Sequence, residues 1–237
     1  MQIYLDSADH REIEKWMREG IVDGVTTNPS VIFKDGVFDL EEGARRLAKL
    51  LGDRPLSVEV TSDDPVRMLG QARTLARLAA NVVIKIPVTN AKGESCLGVI
   101  HALSREGIAV NTTAILSFNQ AVLAAKAGAA YVSIFSGRIA DEGNDPAIVI
   151  RNVRTWLDEW KYTAKIIVGS IRTVMDIQNA ALAGAHIITI PPQFISKMVD
   201  HKYTRETVLQ FNRDAERALA QMSQARTAVA VAASPGQ

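Results

Sequence analysis

The chain has 237 residues, 47% of them hydrophobic, which is enough for one large domain or two small ones around a sizeable core. Its 27 basic and 26 acidic residues leave no net field that would draw it to nucleic acid or an anionic membrane. Cys96 is the only cysteine, so no internal disulfide forms; no apolar run is long enough to span a bilayer, and the opening MQIYLDSADHREIEKW lacks a signal-peptide pattern. The expectation is a soluble, cytoplasmic, globular protein in a reducing compartment.

Short apolar runs alternate with helical patterns along the chain. The spacing predicts strands at residues 2–6, 23–27, 56–60, 81–87, 107–113, 131–136, 164–169 and 186–191. Between the first two, Asp9 and Glu12 mark a helix start; Ile13, Trp16 and Met17 share a face and Gly20 ends it. Asp64-Pro65 opens a helix with a stripe of Met68, Leu69, Ala72, Leu75, Ala76 and Ala79. Ser117 with Gln120 starts a third, stopped at Gly128, and Asp145-Pro146 a fourth. Residues 172–183 form another that stops at Gly184. A last helix over roughly 204–222 carries Val208, Phe211, Ala215, Leu219 and Met222 at helical spacing.

Repeated strand–helix units with short polar joints predict an α/β protein with a parallel sheet. Eight units in this length fit a single (β/α)8 TIM barrel with an extra C-terminal helix; an open doubly wound sheet is the alternative. The expected domain is residues 1–222, with 223–237 a flexible tail, of which TAVAVAASPGQ (227–237) frays.

In such a barrel the reacting groups gather at the C-terminal strand ends. Asp6 closes strand one, Thr26, Thr27 and Asn28 strand two, and Glu59 lies near the end of strand three. Lys85 sits inside NVVIKIPV, where an ammonium is costly unless it is paired or gives up its proton. Asn111 and Thr113, then Ser133 and Phe135, are two apart on their strands, so each pair shares a face. A carboxylate and a lysine facing the barrel interior point to imine chemistry. An uncharged lysine attacks a ketone, and the protonated imine draws electrons from the neighbouring carbon so that the next C–C bond breaks. Asp6 and Glu59 are candidates for the proton transfers. Arg138, Ser170 and Arg172, after strands six and seven, form a candidate clamp for a phosphate. Taken singly these residues have plainer readings: a snorkelling lysine, a capping aspartate, surface arginine ion pairs. Their joint placement is what counts. The histidines show no metal-ligand spacing.

The stretches LDSAD (5–9), DGVTTNPSVI (23–32), VVIKIPVT (82–89), GIAVNTTAILS (107–117), AKAGAAYVSIFSGRI (125–139) and GSIRT (169–173) resemble the transaldolase family, which includes the short fructose-6-phosphate aldolases. The resemblance implies a (β/α)8 barrel, no metal and no organic cofactor. It implies that Lys85 forms the Schiff base and that Asp6 moves the C4 hydroxyl proton. Glu59 and Thr113 are implied to hold and use a water. Asn28, Asn111 and Ser133, with Thr27 beside them, are implied to bind the dihydroxyacetone part, and Arg138, Ser170 and Arg172 the terminal phosphate. Glu59 and Phe135 match the transaldolase choices, where the aldolases resemble one another in having glutamine and tyrosine. Phe135 offers no proton to release free dihydroxyacetone, so transfer to an acceptor aldehyde is expected.

Ile134 and Ser136 depart from the family pattern, and the loop at residues 90–98 is longer than in short members. These changes, with a GRIAD stretch similar to a sugar-catabolic branch, raise a modified donor such as 6-deoxy-6-sulfofructose as an alternative to fructose 6-phosphate or sedoheptulose 7-phosphate. Fructose-6-phosphate aldolase activity is another alternative, and a non-catalytic sugar-phosphate-binding barrel a third. The expected partners are sugar phosphates or sulfonates, not nucleic acid or membrane. The resemblance also implies a homo-oligomer, a pentamer or decamer.

Overall fold

A computed structural model describes residues 1–37 and 39–232. Two compact units are distinguished, Met1–Phe194 and Ile195–Gln237. Among the described residues the strands are β1 (Gln2–Asp6), β2 (Gly24–Thr26), β3 (Leu56–Glu59), β4 (Val82–Pro87), β5 (Val110–Ile115), β6 (Tyr131–Phe135), β7 (Lys165–Gly169) and β8 (Ile187–Ile190). The helices are α1 (His10–Arg18), α2 (Pro29–Lys34), α3 (Leu40–Leu51), α4 (Pro65–Ala76), α5 (Leu97–Arg105), α6 (Phe118–Lys126), α7 (Ser136–Asp141), α8 (Pro146–Glu159), α9 (Val174–Leu182), α10 (Pro192–Val199) and α11 (Lys202–Ala232).

All eight strands pair in parallel and in chain order, and β1 pairs with β8. That pairing closes the sheet, so the expected barrel forms and the open doubly wound alternative does not. Closure accounts for the sequence pattern. Outward residues such as Ile84, Ile86, Val132, Ile134, Ile166, Val168 and Ile188 are fully buried, because helices cover the outer face. Inward residues alternate with them. At the bottom of the barrel Tyr4, Ile167 and Ile187 pack together with Tyr131 against them. Two residues further along the same strands come Asp6, Gly169, Thr189 and Ser133. On β1, β6 and β8 the interior thus turns from apolar to polar within one step along the strand.

Gly24 sets the width of the bottom layer. It pairs with Tyr4, and a Cβ there would stand 2.7 Å from Tyr4 Cζ and 2.9 Å from the Pro55 carbonyl. Only a residue without a side chain lets the tyrosine ring lie across β2.

Helix starts follow local chemistry. Asp9, Asp64, Ser117 and Asp145 each accept a backbone N–H of the first turn, and Thr173 with Asp176 forms a reciprocal box. Five helices were not among the expected elements: α2, α3, α5, α7 and α10. Two had readable signals, Asn28-Pro29 before α2 and Asp39 with Glu42 before α3. The final helix also departs from expectation. It extends to Ala232, ten residues beyond the expected end, since TAVAVA (227–232) carries no glycine or proline. Residues 233–237 of the expected tail lie outside the described residues.

Candidate active site

The C-terminal strand ends surround a cleft of about 400 Å³. Lys85 stands on its floor, 4% exposed. Its place follows from register: on the β3–β4 ladder Glu59 lies directly opposite Lys85, so both point inward together. Lys85 Nζ donates to the Thr27 carbonyl at 2.8 Å and lies 2.9 Å from Glu59 Oε2. These two acceptors matter to reactivity. An uncharged amine has two N–H groups and one lone pair. With Thr27 and Glu59 on two sides of Nζ, a third direction remains, and Lys85 lines the cleft.

Asp6 shares the cleft floor. Thr26 Oγ1 donates to Asp6 Oδ1 at 3.1 Å, and Thr26 and Thr189 share a hydrogen bond at 2.5 Å. Because Thr26 has a single hydroxyl proton, the order of donation runs from Thr189 to Thr26 to Asp6. Burial raises the Asp6 carboxyl above its ordinary value; the Lys85 ammonium and the Thr26 hydroxyl oppose that, while Glu59 and Asp35 add to it. A carboxyl raised in this way is a stronger base when ionised and a readier donor at neutral pH.

A second polar chain crosses the interior below. Ser133 Oγ donates to Asn111 Oδ1 at 2.8 Å, and Asn111 Nδ2 donates to Ser57 Oγ at 3.2 Å. Asn111 is fully buried, and these bonds fix which way its amide faces. Thr113 also lines the cleft; its hydroxyl is buried and has no hydrogen-bond partner among the described residues. The chain turns sharply just beyond it: Ala114 takes φ 58° where β5 slips register against β6.

Asn28 caps α2 by accepting the Val31 N–H and lines the cleft with its remaining amide capacity. Phe135, Arg138 and Ser170 line the opposite side. Ser170 also holds a left-handed backbone, φ 60°, and its carbonyl accepts the Gly137 N–H at 3.1 Å. Arg138 makes no ion pair among the described residues.

Three expected residues are not cleft-lining side chains. Thr27 contributes its carbonyl to Lys85, while its hydroxyl bonds to Ser57 O. Asn111 acts beneath Ser133. Arg172 is directed elsewhere: its two terminal nitrogens donate to both oxygens of Asp141 at 2.6 Å each. Sequence reasoning did not single out Ser57, Thr189 or Asp141. Ser57 and Thr189 lie on inward strand positions, two residues from Glu59 and Ile187, and that alternation is the signal that marks them.

A family profile described as "Transaldolase/Fructose-6-phosphate aldolase" matches residues 3–234. The chain is 40% identical over 214 residues to a "Probable transaldolase" of Dehalococcoides mccartyi, spanning 90% of this chain and 97% of the relative. It is 42% identical over 216 residues to "Probable transaldolase 2" of Listeria monocytogenes, with 91% and 96% covered. A "Probable transaldolase" of Caulobacter sp. (strain K31) is 42% identical over 214 residues, with 90% and 96% covered. Among solved structures, a mandelate oxidase variant with 2-hydroxy-phenylacetamide superposes with a TM-score of 0.55 at 14% identity, over 80% of this chain and 64% of that one. That likeness concerns the fold alone.

Proposed function

Because the chain belongs to the transaldolase/fructose-6-phosphate aldolase family and is an enzyme, a transaldolase, we propose that it moves a dihydroxyacetone unit from a ketose 6-phosphate to an aldose phosphate through a Schiff base on Lys85. The observation that carries this reading is the Lys85 amine held between the Thr27 carbonyl and Glu59 at the floor of the cleft.

The uncharged amine attacks the C2 carbonyl of the donor, and the carbinolamine loses its oxygen as water to give the imine. Glu59, 2.9 Å from Nζ, shuttles these protons. The unmatched hydroxyl of Thr113 supports a role beside it in holding the water. With the iminium formed, the Asp6 carboxylate takes the C4 hydroxyl proton. The C3–C4 bond breaks, its electron pair moves into the iminium, and the shortened aldose departs, leaving an enamine. The enamine carbon then attacks the acceptor aldehyde, Asp6 returns its proton to the new hydroxyl, and hydrolysis frees Lys85. Asn28 and Ser133 have hydrogen-bonding capacity for the dihydroxyacetone hydroxyls. Phe135 carries no proton at the site, which favours waiting for an acceptor over release of free dihydroxyacetone.

Borohydride reduction in the presence of fructose 6-phosphate is expected to leave a three-carbon adduct on Lys85. An unmodified Lys85 overturns the proposal.

One observation favours a second reading of the donor. Arg172 is engaged by Asp141, so Arg138 is the guanidinium that faces the cleft unpaired among the described residues. A phosphate monoester carries about −1.5 to −2 charge at neutral pH, whereas a sulfonate carries one charge and needs less compensation. A donor panel with glyceraldehyde 3-phosphate as acceptor separates the two; faster turnover of the phosphorylated ketose decides against the sulfonated one.

A further inference from the structure

We propose that Asp35, immediately after α2, is a positioning residue for the Asp6 carboxylate. The inference rests on the role given to Asp6 in C–C cleavage. Asp6 is the last residue of β1, so the sheet fixes the backbone on one side of it only. The next three residues leave the barrel and turn into α1. Ser7 and Ala8 are buried, each 4% exposed, and their polar groups converge on one atom. Asp35 Oδ2 accepts from Ser7 Oγ at 3.1 Å and from the Ala8 N–H at 2.8 Å. Ser7 Oγ in turn accepts the Asp9 N–H at 3.0 Å, just ahead of the Asp9 cap on α1. A single carboxylate therefore ties down every residue between Asp6 and α1, directly or through Ser7.

The other end of α2 reaches the same cleft. Asn28 caps that helix and lines the cleft. Six residues of helix form a strut from a substrate-facing amide to the carboxylate behind Asp6. Hydrogen bonds to an ionised acceptor are about twice as strong as neutral ones, so the strut is firm where it meets the chain after Asp6.

Asp35 also acts through its charge. The groups acting on Asp6 are Lys85 from β4, Glu59 from β3, Thr26 from β2 and Asp35 from the end of α2; Thr189 stands behind Thr26. Lys85 and Thr26 favour the ionised form, and Glu59 and Asp35 disfavour it. Removing the Asp35 charge makes Asp6 easier to ionise and a weaker base.

The test uses the full chain with Asp35→Asn and Asp35→Ala. Three quantities are read: the pH profile of kcat/KM for fructose 6-phosphate, kcat, and the borohydride adducts on Lys85 resolved by mass. Asp35→Asn keeps an oxygen for the Ala8 N–H but loses the charge. Its acid limb is expected to move to lower pH, with kcat down a few-fold. Asp35→Ala loses both; a misplaced catalytic group costs up to about 100-fold, and kcat is expected to fall between about 10-fold and that limit. In both variants total adduct on Lys85 stays at the wild-type level while the share of uncleaved six-carbon ketose rises, because imine formation does not use Asp6. An unmoved acid limb in Asp35→Asn overturns the proposal. So does a parallel fall of kcat and total adduct in both variants, which marks a general folding defect. If the wild-type chain itself gives no Lys85 adduct, the underlying catalytic reading fails first and takes this one with it.

Discussion

Replacing Glu59 by leucine and replacing Lys85 by methionine are expected to have unequal consequences for stability, although each removes one partner of the same pair. The Lys85 side chain is 5% exposed and that of Glu59 19%. Glu59→Leu leaves an ammonium enclosed in protein with the Thr27 carbonyl as its one hydrogen-bond acceptor among the described residues and the Asp6 carboxylate as its remaining counter-charge. At 2.9 Å and an effective dielectric constant of about 20, the lost attraction is about 6 kcal/mol. The lysine escapes that cost by shedding its proton. From an unfolded value of about 10.4, deprotonation at pH 7.5 costs about 4 kcal/mol, which caps the loss. For a chain of this size that corresponds to a drop in Tm of about 8–16 °C. The unfolded variant binds the extra proton, so its stability rises with pH, and at pH 9 the cap falls to about 2 kcal/mol. Lys85→Met removes the enclosed charge for a side chain of similar volume and leaves a carboxylate that water reaches through the cleft. It is expected to abolish turnover; its stability cost is smaller than that of Glu59→Leu, because the carboxylates left without their cation, Glu59 and Asp6, line the cleft that water reaches. Thermal melts of both variants at pH 7.5 and pH 9 measure these shifts. The reasoning fails if Lys85→Met melts as low as Glu59→Leu, or if the Glu59→Leu deficit is the same at the two pH values.

Three other outcomes are expected. Gly24→Ala drives a methyl into Tyr4 and the Pro55 carbonyl and should cost about 1–3 kcal/mol, read as a lower urea midpoint with an unchanged slope; wild-type stability would show that the Tyr4 ring has another place to go. Asp141→Ala frees Arg172, so KM should fall more for a phosphorylated donor than for a sulfonated one, and an equal change for both would remove Asp141 from donor selection. His186 Nδ1 accepts the Ile166 N–H at 3.0 Å, and burial, then Arg154, pushes its pKa below 6.5. The unfolded chain therefore binds the proton first: this contribution is complete above 6.5 and is lost as pH falls toward the folded value. Urea unfolding at pH 7.5, 6.5 and 5.5 should show that loss, and a His186→Asn variant should show a shallower one.

Most of the barrel was legible because strands buried on both faces leave a strong apolar signal. Ile84 and Ile86 lie beneath helices, Lys85 lies between them and inside, and the run reads as a strand whichever face is considered. The helices that escaped notice had weaker marks. α5 follows Cys96, which makes no side-chain cap bond, and α7 has six residues and no capping side chain. In the site, strand-end placement brought Asp6, Glu59, Lys85, Thr113 and Ser133 to one cleft, since a closed parallel sheet leaves inward residues no other place to go. Arg172 was harder to place. Its position after β7 says where its backbone starts, but a long side chain settles on the strongest acceptor within reach, and Asp141 comes from a separate helix. Ser57 and Thr189 were hidden for another reason: short hydroxyl side chains gain meaning only from what they touch across the barrel.

Asp6, Glu59, Lys85, Thr113 and Ser133 all lie within strands, whereas Asn28, Arg138 and Ser170 lie just beyond strand ends. The side chains within strands are thus locked into a shared ladder, and those beyond the strand ends ride on replaceable connections. Grafting new segments between β6 and α8, or between β7 and α9, should therefore redirect the enzyme toward other ketoses while its amine chemistry survives intact, which makes this scaffold a natural starting point for diversification.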